Sequence, residues 1–223
     1  MPQRQASLTR RWAVRAAALT TALVACLATW VTPAFAHGAV GDPANRNYSC
    51  QQRWGNDFQN PAMAQQDPMC WQAWQDNPLA MWNYMSLYRN GLAGQFSARI
   101  PDGQICSGGR AEGGLYKSMD TVGAWKTTDI GNSFTVKVND QASHGADYLL
   151  VYVTRQGFDP TTQAIKWSDL QLITKTGRYS PGSSYTANVS TSGHTGRAVV
   201  LTIWQASHMD QAFFFCSDVN FVR

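Results

Sequence analysis

Two stretches of the chain, FTVKVN at residues 134–139 and YLLVYVT at residues 148–154, indicate the fold class. Apolar and polar residues alternate in the first, which is the pattern of a strand with one buried face. The second is a nearly continuous apolar and β-branched run, which suits a strand in the middle of a sandwich. Further strands separated by turn residues are predicted at 167–174, 185–189, 198–204 and 213–222. This series predicts an all-β protein, an antiparallel β-sandwich of the immunoglobulin or fibronectin type.

Residues 54–105 depart from this pattern, because Trp, Met, Asn, Gln and Pro dominate there and the alternation is lost. We expect a loop-rich insertion with short helices at 70–75 and 79–89. Large aromatic side chains dominate small cores, so Trp71 and Trp74 are expected to pack inside the insertion. No repeat or linker is visible, and residues 37–223 are therefore predicted to form one domain.

The first 36 residues have the pattern of an export signal. Arginines precede an apolar run at 16–31, and Ala34-Phe35-Ala36 supplies the small residues that signal peptidase recognises. Cleavage after Ala36 would give a secreted protein that begins at His37. A rival site is the lipobox-like Leu-Val-Ala-Cys at 23–26, where lipid attachment would leave His37 inside the chain. The pair Arg10-Arg11 leaves both general and twin-arginine export open.

The net charge of +4 comes from this leader, since residues 37–223 contain 14 basic and 14 acidic residues. A protein that binds nucleic acid needs clustered positive charge, so the composition argues against that class. We expect a monomer with no membrane partner once the leader is removed. Four cysteines follow the leader, and an even number in an exported chain predicts two disulfides with three possible connectivities.

A histidine at the start of a mature chain offers a metal two nitrogen ligands, its imidazole and its own α-amine. The α-amine has a pKa of about 8, so a metal displaces its proton near neutral pH. His144 is a candidate for the third nitrogen, because it lies in a turn just before a predicted strand; a hydrogen-bonding role in that turn is the alternative. We expect His194 to be an exposed turn residue and His208 to be structural. Three nitrogens with open positions favour copper over hard cations, although zinc would also bind.

The mature chain resembles bacterial lytic polysaccharide monooxygenases of auxiliary activity family 10, of the cellulose-active actinobacterial type. The resemblance covers essentially all of residues 37–223. The matching residues, in order, are His37-Gly38 with Pro43, Arg46, Tyr48 and Cys50, then DPMCWQAW at 67–74, PDGQICSGG at 101–109, ASH at 142–144 and CSDVNF at 216–221.

This resemblance implies one copper ion per chain, held by His37 and His144. It implies that Phe213 occupies the axial position beside copper as a non-ligating or weak partner. Ala142 would pack against the site and limit axial access, and Gln211 would orient the oxygen species. It also implies two disulfides, Cys50–Cys70 and Cys106–Cys216.

For function, the resemblance implies a secreted copper-dependent oxidoreductase that cleaves insoluble β-1,4-linked polysaccharide, with cellulose favoured over chitin. Oxidation at C1, with C4 as an addition, would use an external electron donor and O2 or H2O2. Trp82, Asn83 and Tyr84 are candidate substrate contacts, with packing as the alternative; cellulose-active relatives often carry a second tryptophan in place of Tyr84. Two other classes stay open, a non-catalytic cellulose- or chitin-binding protein and a copper-carrying protein. The insertion counts against the carrier.

Overall fold

The computed structural model describes residues 37–222; the predicted leader, its cleavage site and Cys26 lie outside these residues. The strands are β1 Gly38–Asp42, β2 Tyr88–Asn90, β3 Thr128–Ile130, β4 Ser133–Asp140, β5 Ala146–Thr154, β6 Leu170–Lys175, β7 Ser184–Ser190, β8 Gly196–Ala206 and β9 Gln211–Phe221. One sheet has the order β1-β4-β7 and the other the order β2-β9-β8-β5-β6, with β3 parallel to β9. The remaining pairs are antiparallel, and the prediction of a β-sandwich is confirmed.

Short helices fill the long segment between β1 and β3. They are α1 Arg46–Trp54, α2 Met63–Gln66, α3 Pro68–Asp76, α4 Leu79–Trp82, α5 Phe96–Arg99 and the irregular α6 Ala111–Gly114. Of the helices in residues 37–222, none is long and apolar enough to cross a membrane. The insertion runs from about residue 43 to residue 127, wider than expected, because β1 and β3 are short strands that lack a clear alternating pattern.

The predicted helix at 79–89 is wrong beyond Trp82. After a turn, the chain enters β2, which pairs with β9 through Tyr88 opposite Phe213. The backbone of residues 88–90 is paired with β9, so the helix cannot continue through this segment. The strand predicted from residue 167 begins later, at Leu170, because Trp167 lies in a 3₁₀ turn and donates its indole N–H to the carbonyl of Ile100 at 2.7 Å.

Both faces of the six-stranded sheet are covered, which explains its long apolar runs. Successive side chains of a strand point to opposite faces. Phe213 and Phe215 therefore enter the core between the sheets, while Phe214 enters a second core under the insertion. Trp74 is fully buried in this second core and Trp71 packs against it, so the expectation of a packing role for both is met.

Two disulfides fix the insertion. Cys50–Cys70 joins α1 to α3, and Cys106–Cys216 joins the insertion to β9. These are the pairs that the family resemblance implies. The second bond closes a loop of 110 residues in sequence, which the chain-entropy model associates with a larger stabilisation than the 20-residue loop of the first.

A buried carboxylate under the insertion gives the first prediction. One oxygen of Asp120 accepts the backbone N–H of Ser107 at 2.9 Å, and the other is buried without a partner among the described residues. Burial outweighs the hydrogen bonds from Ser107 and the charge of Arg46, and it raises the pKa of Asp120 to about 6. The folded chain then holds this proton more tightly than the unfolded chain, so stability falls as the pH rises from about 4 to about 6.

We therefore expect Asp120→Asn to raise the free energy of unfolding by about 1–3 kcal/mol at a pH of about 7.5 and to change it little at a pH of about 4. Urea unfolding at both pH values measures this difference. The exposed Asp42→Asn is the control and should leave both values unchanged. An equal gain at the two pH values would contradict the assignment.

Candidate metal centre

Strand pairing places the first described residue at one end of the sandwich. Gly38 of β1 lies opposite Asp140 at the end of β4, and the carbonyl of His37 accepts the backbone N–H of Gln141 at 2.9 Å. Gly38 also donates its N–H to the carbonyl of Met85 at 2.9 Å. His37 therefore lies between the turn that follows β4 and the turn that follows α4.

The turn from β4 to β5 holds His144, and Asp140 organises it. The Asp140 carboxylate accepts the backbone N–H of Ala142 at 3.0 Å and that of His144 at 2.6 Å. It also lies 2.7 Å from Nδ1 of the His144 ring and accepts the hydroxyl of Tyr185 at 2.7 Å. Because the two backbone N–H groups and the Tyr185 hydroxyl all donate to this carboxylate, it is the ionised form that fits this turn.

These contacts fix the tautomer of His144. A carboxylate is only an acceptor, so Nδ1 carries the proton and donates it to Asp140. Nε2 is then an unprotonated donor atom for a metal, and it is buried without a hydrogen-bond partner among the described residues. A carboxylate that orients a histidine in this way is a common feature of metal sites. The orphaned Nε2 is the observation that fits a metal ion.

Tyr185 is the third residue of the hydrogen-bond network that holds His144 and Asp140. Its hydroxyl donates to Asp140 and accepts the backbone N–H of Gly145 at 2.9 Å. Burial and, secondly, the hydrogen bond to Asp140 raise the pKa of Tyr185 to about 12. The hydroxyl thus stays protonated at neutral pH and remains a donor to the carboxylate.

Phe213 lies under the site on β9. It is fully buried and stacks on Trp204, with ring centroids 4.3 Å apart, while its centroid lies 6.4 Å from that of His144. Trp204 in turn contacts the His144 ring at 5.6 Å and donates its indole N–H to the carbonyl of Gly145 at 3.0 Å. The aromatic layer therefore supports the histidine from below. Ala142, in the same turn, is exposed.

Gln211 lies two residues before Phe213 and on the same face of β9. It is buried, and its amide donates to the Oδ1 atom of Asn90 at 3.2 Å across the β2–β9 pair. Its own Oε1 is buried with no partner among the described residues. The side chain is thus held at one end and has an acceptor left over at the other.

The three candidate substrate contacts follow α4 and are exposed to different degrees. Trp82 has 44% of its surface exposed, while its ring edge packs against Trp74 at 5.3 Å. Asn83 is exposed, and its carbonyl accepts the Tyr116 hydroxyl at 2.8 Å. Tyr84 is half-buried and stacks on Tyr48 at 4.5 Å. The bond from Gly38 to Met85 brings this turn beside His37.

Of the other two histidines, His194 differs from the expectation of an exposed turn residue. Only 7% of the surface of His194 is exposed. Its ring packs on Phe221, and the side chain of Asn132 forms hydrogen bonds with its backbone N–H and carbonyl. His208 is exposed, and its ring lies 4.5 Å from that of His144. The roles of Asp140 and Tyr185 were not predicted from the sequence, although an Asp four residues before His144 is a visible signal.

Within residues 37–222, no group of three or more His, Cys, Asp or Glu side chains is arranged to hold a metal ion. A metal bound by His144 would need a ligand of another kind, such as a backbone nitrogen. The α-amine of His37, which exists once the chain is cleaved before it, would supply such a ligand. The fold and this site together define a β-sandwich protein with a candidate metal centre at the end of the sandwich that holds His37 and His144.

Residues 37–219 match the family model described as lytic polysaccharide mono-oxygenase, cellulose-degrading. The chain therefore belongs to the lytic polysaccharide monooxygenase family. A solved monooxygenase of this kind from Kitasatospora papulosa is 68% identical, with a TM-score of 0.83 over 84% of this chain and 99% of that one. The cellulose-active CelS2, solved in complex with copper, is 27% identical, with a TM-score of 0.71 over 83% of this chain and 99% of that one.

A curated relative, the lytic cellulose monooxygenase of Streptomyces ambofaciens, is 30% identical over 83% of this chain and 53% of its own length. The chain thus spans about half the length of the curated relatives that head the comparison.

Proposed function

We propose that the mature form of this chain is a secreted copper-dependent oxidoreductase that cleaves crystalline β-1,4-linked glucan oxidatively. The observation that carries the proposal is the His144 ring, whose Nδ1 is held by Asp140 and whose buried Nε2 has no partner among the described residues. Strand pairing brings His37 to the same end of the sandwich. Family membership supports the same function.

His37, through its ring and α-amine, and His144, through Nε2, would hold one copper ion. Nitrogen ligands and open positions favour copper over hard cations, and the related CelS2 was solved with copper. The chemistry that copper supplies when bound is one-electron exchange with an external donor and activation of O2 or H2O2. Zinc would occupy the same ligands without redox activity, which provides a matched inactive form.

The residues around the site have separate tasks. Asp140 fixes the tautomer and the orientation of His144, and Tyr185 holds Asp140. Phe213 would present an apolar ring to the metal site and offer the metal no donor atom. Ala142, which is exposed in the same turn as His144, would pack against the metal site and limit access to it.

Replacing Gln211 is expected to have a moderate effect on activity. Its unpartnered Oε1 is available to orient the oxygen species, and a group of this kind tunes a metal site without ligating it. We expect Gln211→Ala to lower the rate of oxidised-product formation about tenfold while copper affinity stays within about threefold of wild type. The exposed Gln163→Ala is the control and should change neither quantity. Complete loss of copper binding would make Gln211 a ligand and overturn this role.

The substrate is proposed to lie across the turn at 82–84, beside the metal. An exposed indole and an exposed amide suit the apolar ring faces and the hydroxyl edges of a flat glucan surface. We propose cellulose as the main substrate and chitin as the second, with oxidation at C1 and, in addition, at C4.

One experiment tests the function directly. The mature protein, loaded with copper, is incubated with ascorbate and microcrystalline cellulose or β-chitin, and the soluble products are identified by mass spectrometry. We expect aldonic acids and C4-oxidised oligosaccharides from cellulose, and none from the zinc-loaded protein. Binding to cellulose without any oxidised product would identify a non-catalytic binding protein instead. Copper binding without polysaccharide binding would identify a copper carrier.

The start of the mature chain has its own measurement. We propose cleavage after Ala36, secretion and a monomeric state. The intact mass of the secreted protein, with and without copper, should correspond to a chain that begins at His37, has two disulfides and gains one copper ion. A chain that begins at lipidated Cys26 would enclose the nitrogen of His37 in a peptide bond and remove the first ligand.

A further inference from the structure

A groove opens at the turn between β8 and β9, next to the candidate metal centre. Its volume is about 350 Å³, and its lining includes Asp147, Tyr148, Gln205, His208, Met209 and Asp210. Pockets of a few hundred Å³ are of the size that small organic molecules occupy. We call it the Tyr148 groove.

The groove leads to the candidate metal ligand through one ring. His208 lines the groove and is exposed, and its ring centroid lies 4.5 Å from that of the buried His144. A molecule in contact with His208 is therefore separated from a copper ligand by a single imidazole. This position suits a redox partner of the metal.

The lining defines the chemistry of the occupant. Tyr148 and the half-exposed Met209 offer apolar surface to a flat ring. The acceptors are the carboxylates of Asp147 and Asp210 and the amide oxygen of Gln205, which is buried without a partner among the described residues. Such acceptors call for hydroxyl donors, because an unpaired buried acceptor is costly.

The charge of the groove further restricts the chemical class of molecule that it can bind. Two carboxylates line it, and the partner of Asp147, Arg178, is 3.6 Å away and exposed, so solvent screens that pair. The Nζ atom of Lys175 lies over one face of the Tyr148 ring, 4.7 Å from its centroid. Tyr148 also lines the groove. An anionic donor such as ascorbate gains little here, whereas a neutral ring with hydroxyl groups fits.

We infer that the Tyr148 groove binds a neutral diphenol, which serves as the external electron donor; this inference rests on the proposed function. Oxidation of one diphenol to its quinone releases two electrons and two protons. The electrons leave one at a time and reduce two Cu(II) ions to Cu(I) in successive encounters, and the protons pass to the solvent at the open side of the groove.

Binding is tested on the zinc-loaded mature protein, in which catechol is not oxidised by the metal. Catechol is titrated under nitrogen and followed by protein NMR. We expect saturable binding that weakens about tenfold in Tyr148→Leu and in the exposed Met209→Ala. The control is Tyr152→Leu, which replaces a half-buried tyrosine four residues further along β5 that packs on Trp167 at 6.1 Å. This variant should bind catechol as wild type does.

A second readout separates donor binding from a structural role. Copper-loaded protein without polysaccharide is mixed with catechol or ascorbate, and reduction of Cu(II) is followed by stopped-flow spectroscopy. Tyr148→Leu should slow reduction by catechol about tenfold and leave reduction by ascorbate unchanged. The inference would be overturned if Tyr148→Leu slowed Cu(II) reduction equally with catechol and ascorbate. It would also be overturned if the substitutions at Tyr148 and Met209 left catechol binding unchanged.

Cellohexaose distinguishes the groove from a glucan site. If cellohexaose displaces catechol and its own binding depends on Tyr148, the groove belongs to the polysaccharide and the inference fails. The catechol titration does not depend on polysaccharide oxidation. If the groove binds catechol but the protein forms no oxidised sugars, the proposed function is contradicted. If the protein forms oxidised sugars but the groove does not bind catechol, only the donor site is contradicted.

Discussion

Replacing His144 with alanine is expected to abolish the release of oxidised oligosaccharides and to weaken Cu(II) binding by at least about 100-fold. In the proposed site, His144 would supply one of three nitrogen ligands through its buried Nε2, because Asp140 occupies Nδ1. Only the two nitrogens of His37 would then remain as ligands. Isothermal titration with Cu(II) and product analysis on cellulose measure the two effects.

The matched control is His194→Ala. His194 is also buried and also has ring nitrogens without partners among the described residues, but it precedes β8, whereas His144 lies beside the end of β8. Removing it should lower stability, because it leaves a cavity against Phe221, and should keep copper affinity and product formation. If His144→Ala still released oxidised products, the two-histidine centre would not be the active site.

Replacing Asp140 with asparagine is expected to have the second largest effect. The NH2 group of asparagine would replace one carboxylate oxygen, and it would therefore present donors to two of the four N–H and O–H groups that now converge on the carboxylate. His144 would then turn its ring or carry its proton on Nε2, where the metal binds. We expect copper affinity to fall about 10–100-fold and the rate of product formation to fall with it. The unfolding free energy should drop by about 3 kcal/mol, because charge-assisted hydrogen bonds are lost.

Asp67→Asn controls for loss of stability alone. Asp67 is also almost fully buried and accepts hydrogen bonds from Arg53 at 2.7 Å and Trp54 at 3.0 Å, inside the insertion and outside the turn that holds His144. This variant should be destabilised while its folded form binds copper normally. Equal copper affinity in the two variants, measured at a temperature where both are folded, would show that Asp140 does not tune the site.

Part of the site is readable in the sequence because it depends on local chemistry. An N-terminal histidine after a cleavage motif offers two nitrogens whatever the fold, and alternation at 134–139 predicts a half-buried strand at any position in a sheet. The candidate ligand His144 follows from its place before a strand. The roles of Phe213, Gln211 and Ala142 came only from the family resemblance.

Other features depend on contacts between residues far apart in sequence. The burial of His194 is decided by Phe221 and Asn132, and the exposed position of His208 over His144 is decided by the turn between β8 and β9. The end of α4 at Trp82 follows from the pairing of β2 with β9. None of these partners is marked by local pattern.

By itself, then, the sequence determined the class of fold, the presence of an insertion and the residue types available for a metal. The tertiary structure alone decided that Tyr185 holds Asp140, that Nε2 of His144 is left buried and without a partner among the described residues, and that a groove reaches this ring through His208. The physical reason is the distance in sequence over which each effect acts. Hydrophobic alternation is set by a few consecutive residues. Which atom of a side chain is free to bind a metal depends on the hydrogen bonds around it, and their partners can come from distant parts of the chain.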